Sequence, residues 1–456
     1  MSMKNDGIHG SDTNAADAVP AGAAGRGISA TAASGPDAGD SAAPVSRNRR
    51  RVAGGLAAVA AGVGVAGLPR GARAQQKRYG PGVTDTEIKI GQTIPYSGPA
   101  SAFGIAGRIQ LAYMKMVNAA GGVNGRQINL MSLDDGFSPP KAVEMTRKLV
   151  EEDNVLAMMG SVGTPTNTVI AKYLNGKQVP HLVVASGSAR LVDPAGLPWT
   201  STFYASQAME GQLYAEYVAR TKPDAKVGIL FQNDDYGKGN LEAFRKGLGD
   251  KASKMIVKEV GYELSDPTID TQIIALKAAG ADVFFHATTP KFAAQAIRRS
   301  HEIGWKPLQL LISNVSGVSA VLKPAGLEAS KGLVTSMWMK MPGDPAWNDD
   351  KGMRDYLAFI KQWAPNEAAD DSIGAFGYNQ AMMTVELLKR CGSELTRENL
   401  MKQALNVRDL QLPLFVQGVL INITPASRTA WKQTRLARFD GTNWVLFGDV
   451  LNWNGA

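Results

Sequence analysis

The sequence is poor in the residues that most reactions need. It has 456 residues, of which one is cysteine, Cys391, and four are histidine: His9, His181, His286 and His301. A lone cysteine excludes an internal disulfide, and the histidines fall at no metal-ligand spacing. P-loop, G-x-S-x-G and H-E-x-x-H motifs are all missing. No metal, no cofactor and no enzymatic activity are therefore expected. Aromatic residues make up 7% of the chain and interleave with no basic stretch, so the formal net charge of +8 does not imply nucleic acid. Long hydrophobic runs are scarce too. The mild run Val52 to Leu68 is dominated by glycine and alanine, whereas a membrane span needs about 20 strongly apolar residues.

That mild run suits export better than anchoring. Residues Met1 to Ser46 are rich in Ala, Gly, Ser and Asp, a composition that cannot bury a core and is expected to be disordered. Arg49-Arg50-Arg51 precede the run, and Ala72-Arg73-Ala74 follows it as an A-x-A cleavage pattern. Adjacent arginines before a weakly hydrophobic segment resemble a twin-arginine signal. The match of Gly62 to Gly67 to G-x-G-x-x-G lies inside this segment, with no strand before it, and is no nucleotide site. The mature chain is expected to begin near Gln75. It has about 382 residues, enough for two domains, and a net charge of about +5.

What the sequence does contain is strand–helix alternation, centred on Val155 to Ser188. An apolar run, Val155 to Met159, ends in the small-residue loop Gly160 to Thr164, and Pro165 opens a helical segment. A second apolar run, His181 to Ala185, ends in Ser186-Gly187-Ser188. Short apolar runs alternating with helices suggest parallel strands with crossover helices, in which ligands sit outside the carboxyl ends of the strands. Thr164 before Pro165 fits an N-cap followed by proline at the first helical position. The free amides and the dipole of that helix end would suit a carboxylate. The hydroxyls of Thr164 and Ser188 fit either donation to such a ligand or simple capping.

The same alternation runs outward on both sides. Before the centre come strands at Glu87 to Thr93 and Ile128 to Leu133 and a helix at Gly104 to Ala119. After it come strands at Val227 to Phe231, Met255 to Val260, Asp282 to Phe285 and Leu308 to Ile312. These form two series of one class. A third series has a crossing strand near Gly332 to Trp338, then helices at Pro345 to Trp363, Asp371 to Arg390 and Thr396 to Leu405. Closing strands are expected at Phe415 to Ile421, Thr434 to Phe439 and Trp444 to Phe447, with an Asp440-Gly441 turn between the last two.

The segments IKIGQTIPYSGPASAFG, NAAGGVNGRQI, DDGFSPPKAV, GSVGTPTNT, VPHLVVASGSA, NDDYGKG and RFDGTNW fall in that order between Glu87 and Trp453. Together the chain resembles the periplasmic solute-binding proteins of branched-chain amino acid ABC transporters, the leucine/isoleucine/valine-binding type. The resemblance implies an α/β fold of two doubly wound parallel-sheet lobes joined by three hinge crossings, the type I periplasmic binding protein, closing on ligand like a hinged trap. It implies an extension and signal over 1–74, one lobe from 85–203 with 337–434, and a second from 204–336 with 435–456. It further implies a periplasmic monomer that binds a small molecule and hands it to membrane permease subunits. A sensor module of the same fold, feeding a receptor, is the alternative.

By the same resemblance, Thr164 and Ser188 hold an α-carboxylate, while the Ser186 carbonyl and the Ser188 hydroxyl meet an α-ammonium. Tyr236 covers the ligand from the second lobe, and Phe103 and Thr288 are further contacts. One position departs: Asn314 stands where the amino-acid binders carry a glutamate. An amide cannot neutralise a cation, and Asp234 and Asp235 fit turn and cap roles as readily. The expected ligand is thus a small carboxylate-bearing solute that needs no α-ammonium, amino acid-like or an aromatic or organic acid, with an amide as the alternative. A hydrolase built on Ser186, Ser188 and His286 is disfavoured, because no strand-to-helix nucleophile turn accompanies them.

Overall fold

The computed structural model describes residues 77–455; the extension and export signal read from residues 1–74 lie outside them. The first sheet contains β1 (Glu87–Ile94), β2 (Gln127–Asp134), β3 (Met158–Met159), β4 (His181–Val184) and β5 (Thr200–Thr202). All are parallel, in the order β2-β1-β3-β4-β5. The crossovers are α1 (Gly104–Ala119), α2 (Pro139–Arg147) and α3 (Thr164–Gly176). Residues Val155 to Met159 are wholly buried, which explains why this run shows no alternation of apolar and polar residues.

The second sheet repeats the plan. Strands β6 (Val227–Gln232), β7 (Ile256–Tyr262), β8 (Val283–Ala287), β9 (Leu308–Leu311) and β10 (Val334–Met337) lie parallel in the order β7-β6-β8-β9-β10. Two antiparallel strands, β11 (Gln433–Phe439) and β12 (Trp444–Asn452), extend it beyond β10. Its helices are α4 (Gln207–Thr221), α5 (Asp235–Leu248), α6 (Asp270–Ala278) and α7 (Pro290–Glu302). The chain passes to this sheet after Thr202, leaves it after Met337 and rejoins it at Gln433.

Between those last two points, α8 (Lys351–Trp363), α9 (Ser372–Arg390) and α10 (Arg397–Ala404) return to the first sheet. The rings of Tyr113 on α1 and Tyr378 on α9 meet edge-on at 5.1 Å. The Gln380 amide of α9 donates to the Val183 carbonyl of β4 at 2.9 Å. One expectation fails here: Phe415 to Ile421 is no strand of the main sheets. Pro413 lacks an amide hydrogen and Gly418 sits at φ +87, so the segment turns instead. Only Ile421–Ile423 is extended, paired with Val407–Leu410 in a separate small sheet. The helix read from Pro345 is also shorter, with α8 starting at Lys351 under an Asp350 cap that accepts the Met353 amide.

Both sheets place their topological switch points, β1/β3 and β6/β8, at carboxyl ends of strands, where α/β sheets bind ligands. In the second, α4 and α5 pack unusually closely. A Cβ at Gly211 would lie 2.5 Å from the Ala243 methyl group, and one at Gly247 would lie 2.7 Å from the Gln212 Cα. This contact lets Phe244 stack on Phe285 at 4.6 Å. Gly211→Val should cost about 1–3 kcal/mol through overpacking. Urea unfolding checks this, as a lower midpoint with unchanged slope.

Candidate functional site

A cleft of about 1010 Å³ is lined by loops from both sheets. Its first wall is built on the loop between β3 and α3. Gly163, at φ +116, is the residue that precedes the helix. A Cβ there would sit 2.7 Å from Thr166 Oγ1 and 2.8 Å from the Phe137 ring, so only glycine fits. The N-cap expected at Thr164 is thereby corrected. Thr164 is the first residue of the helix and makes no capping bond. Its buried hydroxyl instead pairs with the Ser186 hydroxyl at 2.8 Å, across from β3 to β4. Two hydroxyls thus flank the open amides of a helix start.

Of the side chains expected at the site, Phe103, Thr164, Ser186, Tyr236 and Asn314 all line the cleft. Ser188 and Thr288 do not. Ser188 Oγ accepts the Arg190 amide at 3.3 Å, and its own amide donates to Ser186 Oγ at 3.3 Å. Thr288 is fully buried and presents its carbonyl to the Tyr236 hydroxyl at 2.9 Å. That hydroxyl also lies 2.9 Å from Asn314 Oδ1, so one proton is shared between two acceptors. Burial pushes the Tyr236 hydroxyl well above its ordinary range. Asp234 caps α5 by accepting the Tyr236 and Gly237 amides. Asp235 pairs with Arg190 of the first lobe at 2.7 Å. Neither acid lines the cleft.

Sequence reasoning missed most of the apolar lining: Phe137, Ile312, Ile373, Phe376, and the run Met337, Trp338, Met339 and Met341 beside a crossing. Period and strand-end logic found the polar loop tips. It could not find residues brought in by α9 and the crossing segment, which are remote in sequence. It also missed Glu210, in the first turn of α4. Glu210 is 3% exposed and is the one acidic residue in the lining, which contains no Lys, Arg or His. Its Oε1 accepts the Ser313 amide at 3.0 Å and the Ser336 hydroxyl. Burial raises its pKa against those two bonds. An acid thus faces the cleft although Asn314 is not one. Strand ends do not reveal it, because it enters from the helix after the first crossing.

Among the described residues, no histidine lines the cleft. His286 Nε2 bonds Gln309 at 2.8 Å, and burial pushes its pKa down to about 3. With Ser186 bonded to Thr164, no Ser–His pair forms. Asp135 supports the first wall: its Oδ1 accepts the Phe137 amide at 2.8 Å, and Phe137 stands at φ +61. Burial raises the Asp135 carboxyl from 3.8 to about 6. The native state then holds this proton more tightly than the unfolded chain. Stability contributed by the group is fully present below the unfolded value, is lost as pH rises toward the folded value, and stays lost above it. Asp135→Asn keeps the Oδ1 acceptor. It should stabilise the protein at pH 8 by at most about 3 kcal/mol, with the gain vanishing near pH 4. Chemical denaturation at the two values measures the difference.

Two doubly wound sheets facing one cleft across three crossings define a two-lobed α/β solute trap. The comparisons agree: the chain matches the periplasmic binding protein family over residues 87–443 and belongs to it. That is a family of binding proteins, extracytoplasmic in setting, and not of enzymes. Among curated relatives, an amino acid binding protein of Pseudomonas aeruginosa is 25% identical over 224 residues, which are 48% of this chain and 58% of that protein. A leucine-, isoleucine-, valine-, threonine- and alanine-binding protein of the same species is 26% identical, over 57% of this chain and 68% of that protein. The chain spans about three-fifths of the length of the first curated relatives it matches. Of solved structures, a branched chain amino acid ABC transporter protein from Thermus thermophilus with bound valine superposes with TM-score 0.74 at 19% identity, covering 82% of this chain and 98% of that one. A fatty acid ABC transporter substrate-binding protein from Thermomonospora curvata gives TM-score 0.67 at 22% identity, covering 83% and 95%. These two likenesses speak to the fold.

Proposed function

We propose that this protein is an extracytoplasmic solute-binding protein that captures a small carboxylate-bearing solute, amino acid-like or an aromatic or organic acid, and delivers it to an ABC permease. The lobes would be 85–203 with 337–434 and 204–336 with 435–456, closing about the crossings. One observation carries the reading: the Thr164–Ser186 hydroxyl pair beside the start of α3 opens into a cleft otherwise lined mainly by apolar and aromatic side chains. The helix start and hydroxyls suit a carboxylate, and the remainder suits an apolar body. The contacts are Phe103, Thr164, Ser186, Tyr236 and Asn314, with Ser188 and Thr288 supporting them from behind. Relatives described as amino acid, branched-chain and fatty acid binders are in keeping with a carboxylate.

Thr164→Ala should weaken a bound carboxylate by about 1–3 kcal/mol, the cost of a charged acceptor losing a donor. Calorimetry with leucine, phenylalanine and 3-phenylpropionate tests it; undiminished binding of every probe that binds the parent protein would refute this role. Export would follow the twin-arginine route through Arg49 and Arg50. Exchanging both for lysine should leave the precursor in the cytoplasm, and cell fractionation showing normal export would reject that route.

A further inference from the structure

Among the described residues, Glu210 is the only acid that lines the cleft, and no Lys, Arg or His lines it. Both hydrogen bonds to Glu210 go to Oε1, and Oε2 has no partner among the described residues. Next to it, the buried Ser313 Oγ faces the Glu210 carboxyl and the Tyr204 hydroxyl. An unpaired carboxylate enclosed by protein is costly unless a cation or further donors reach it. Three lining rings, Tyr204, Trp338 and Phe376, meet one another edge-on, each pair at 82°. Their centroids are 5.6 Å apart for Tyr204–Trp338, 5.1 Å for Tyr204–Phe376 and 5.9 Å for Trp338–Phe376. Mutually perpendicular rings in contact form a corner of the same cleft that Glu210 lines, and aromatic ring faces attract cations. The charge of Glu210 also acts on the Tyr204 hydroxyl, which ties the acid to this corner.

We propose that Glu210, together with the ring corner of Tyr204, Trp338 and Phe376, is a site for a cationic nitrogen of the solute. This inference rests on the reading of the cleft as a carboxylate-solute site and makes the solute a zwitterion. The acid that balances the nitrogen sits on α4 after the first crossing, not at the strand end occupied by Asn314. A purely anionic solute would instead add a second negative charge to a cleft without a basic residue. The nitrogen is either a primary ammonium, which Glu210 Oε2 and Ser313 can hydrogen-bond, or a quaternary one, which only the rings and the charge can hold.

Calorimetry on matched probes tests this: leucine and phenylalanine, their des-amino analogues 4-methylpentanoate and 3-phenylpropionate, and the N-trimethylated amino acids. The parent protein should bind one cationic form at least tenfold more tightly than its des-amino analogue. Glu210→Gln keeps the Oε1 acceptor; it should lose at least tenfold for the cationic probe and change the des-amino acid by less than threefold. Preference for the primary over the trimethylated form assigns the nitrogen mainly to Glu210, and the reverse assigns it mainly to the rings. Equal binding of cationic and des-amino probes by the parent protein overturns the inference, as does an unchanged preference in the variant. In both cases the carboxylate reading survives. Failure of every probe to bind the parent protein sinks that reading, and this inference with it. Should the variant not fold, the parent protein's own pH profile decides. Burial raises the Glu210 pKa, and the groups facing it, Tyr204, Tyr214 and Tyr236, have hydroxyls pushed upward by burial and do not ionise near neutrality. The preference for the cationic probe should then shrink as pH is lowered across the range in which the protein stays folded, and a constant ratio counts against the proposal.

Discussion

The cleft depends on the loop Gly160 to Thr164 being held still. Its backbone is tied from every side. The Gly160 carbonyl accepts the amides of Gln110 from α1 at 3.2 Å and Gln380 from α9 at 3.3 Å. Ser161 Oγ accepts the Thr93 amide of β1 at 3.1 Å, and the Val162 amide donates to the Thr93 carbonyl at 3.2 Å. Asn167 Nδ2 donates to the Gly163 carbonyl at 2.6 Å, and Asn167 Oδ1 in turn meets His181 Nε2 at 2.8 Å. Buried backbone polar groups must be paired, and pairing them this way immobilises the start of α3. A helix start recognises an anion only if its amides need not reorganise, so the many small ties are what make this end of the cleft usable.

The two walls solve different problems. The first offers amides and hydroxyls but no formal positive charge, so an anion bound there would be held by dipoles and donors. The second holds one buried acid, Glu210, whose Oε1 draws the loop before Asn314 and the last turn of β10 toward α4 through Ser313 and Ser336. That acid therefore joins two segments that flank crossings of the chain. Between the walls the lining is apolar and aromatic, rich in methionine, and methionine adapts its shape to what it meets. The arrangement separates charge recognition at fixed points from shape recognition by pliable groups.

Much of the fold could be read from the chain because the driving periodicities are local. Apolar runs marked β1 to β4 and β6 to β10 closely but missed the three-residue β5, and the loops at their ends included five cleft residues. Local signals failed where the deciding contact was remote. The N-cap passed from Thr164 to Gly163 because the turn needs a positive φ and the Phe137 ring leaves no space for a Cβ. Phe415 to Ile421 has strand composition, but it meets the crossing segment only in an isolated Phe415–Met339 bridge and joins neither main sheet.

By itself the sequence determined the strand–helix order, the parallel sheets and the polar tips after each strand. These follow from periodicity, composition and turn chemistry, which act over a few residues. Only the tertiary structure decided that Ser188 and Thr288 stand behind the cleft, that Asp235 is taken by Arg190, and that α9 and the crossing after β10 supply most of the apolar wall. It alone brought Glu210 beside Ser313 and Ser336, residues more than 100 positions away. Which face of a helix meets a cleft depends on how two sheets pack across their crossings, and no short-range pattern encodes that geometry.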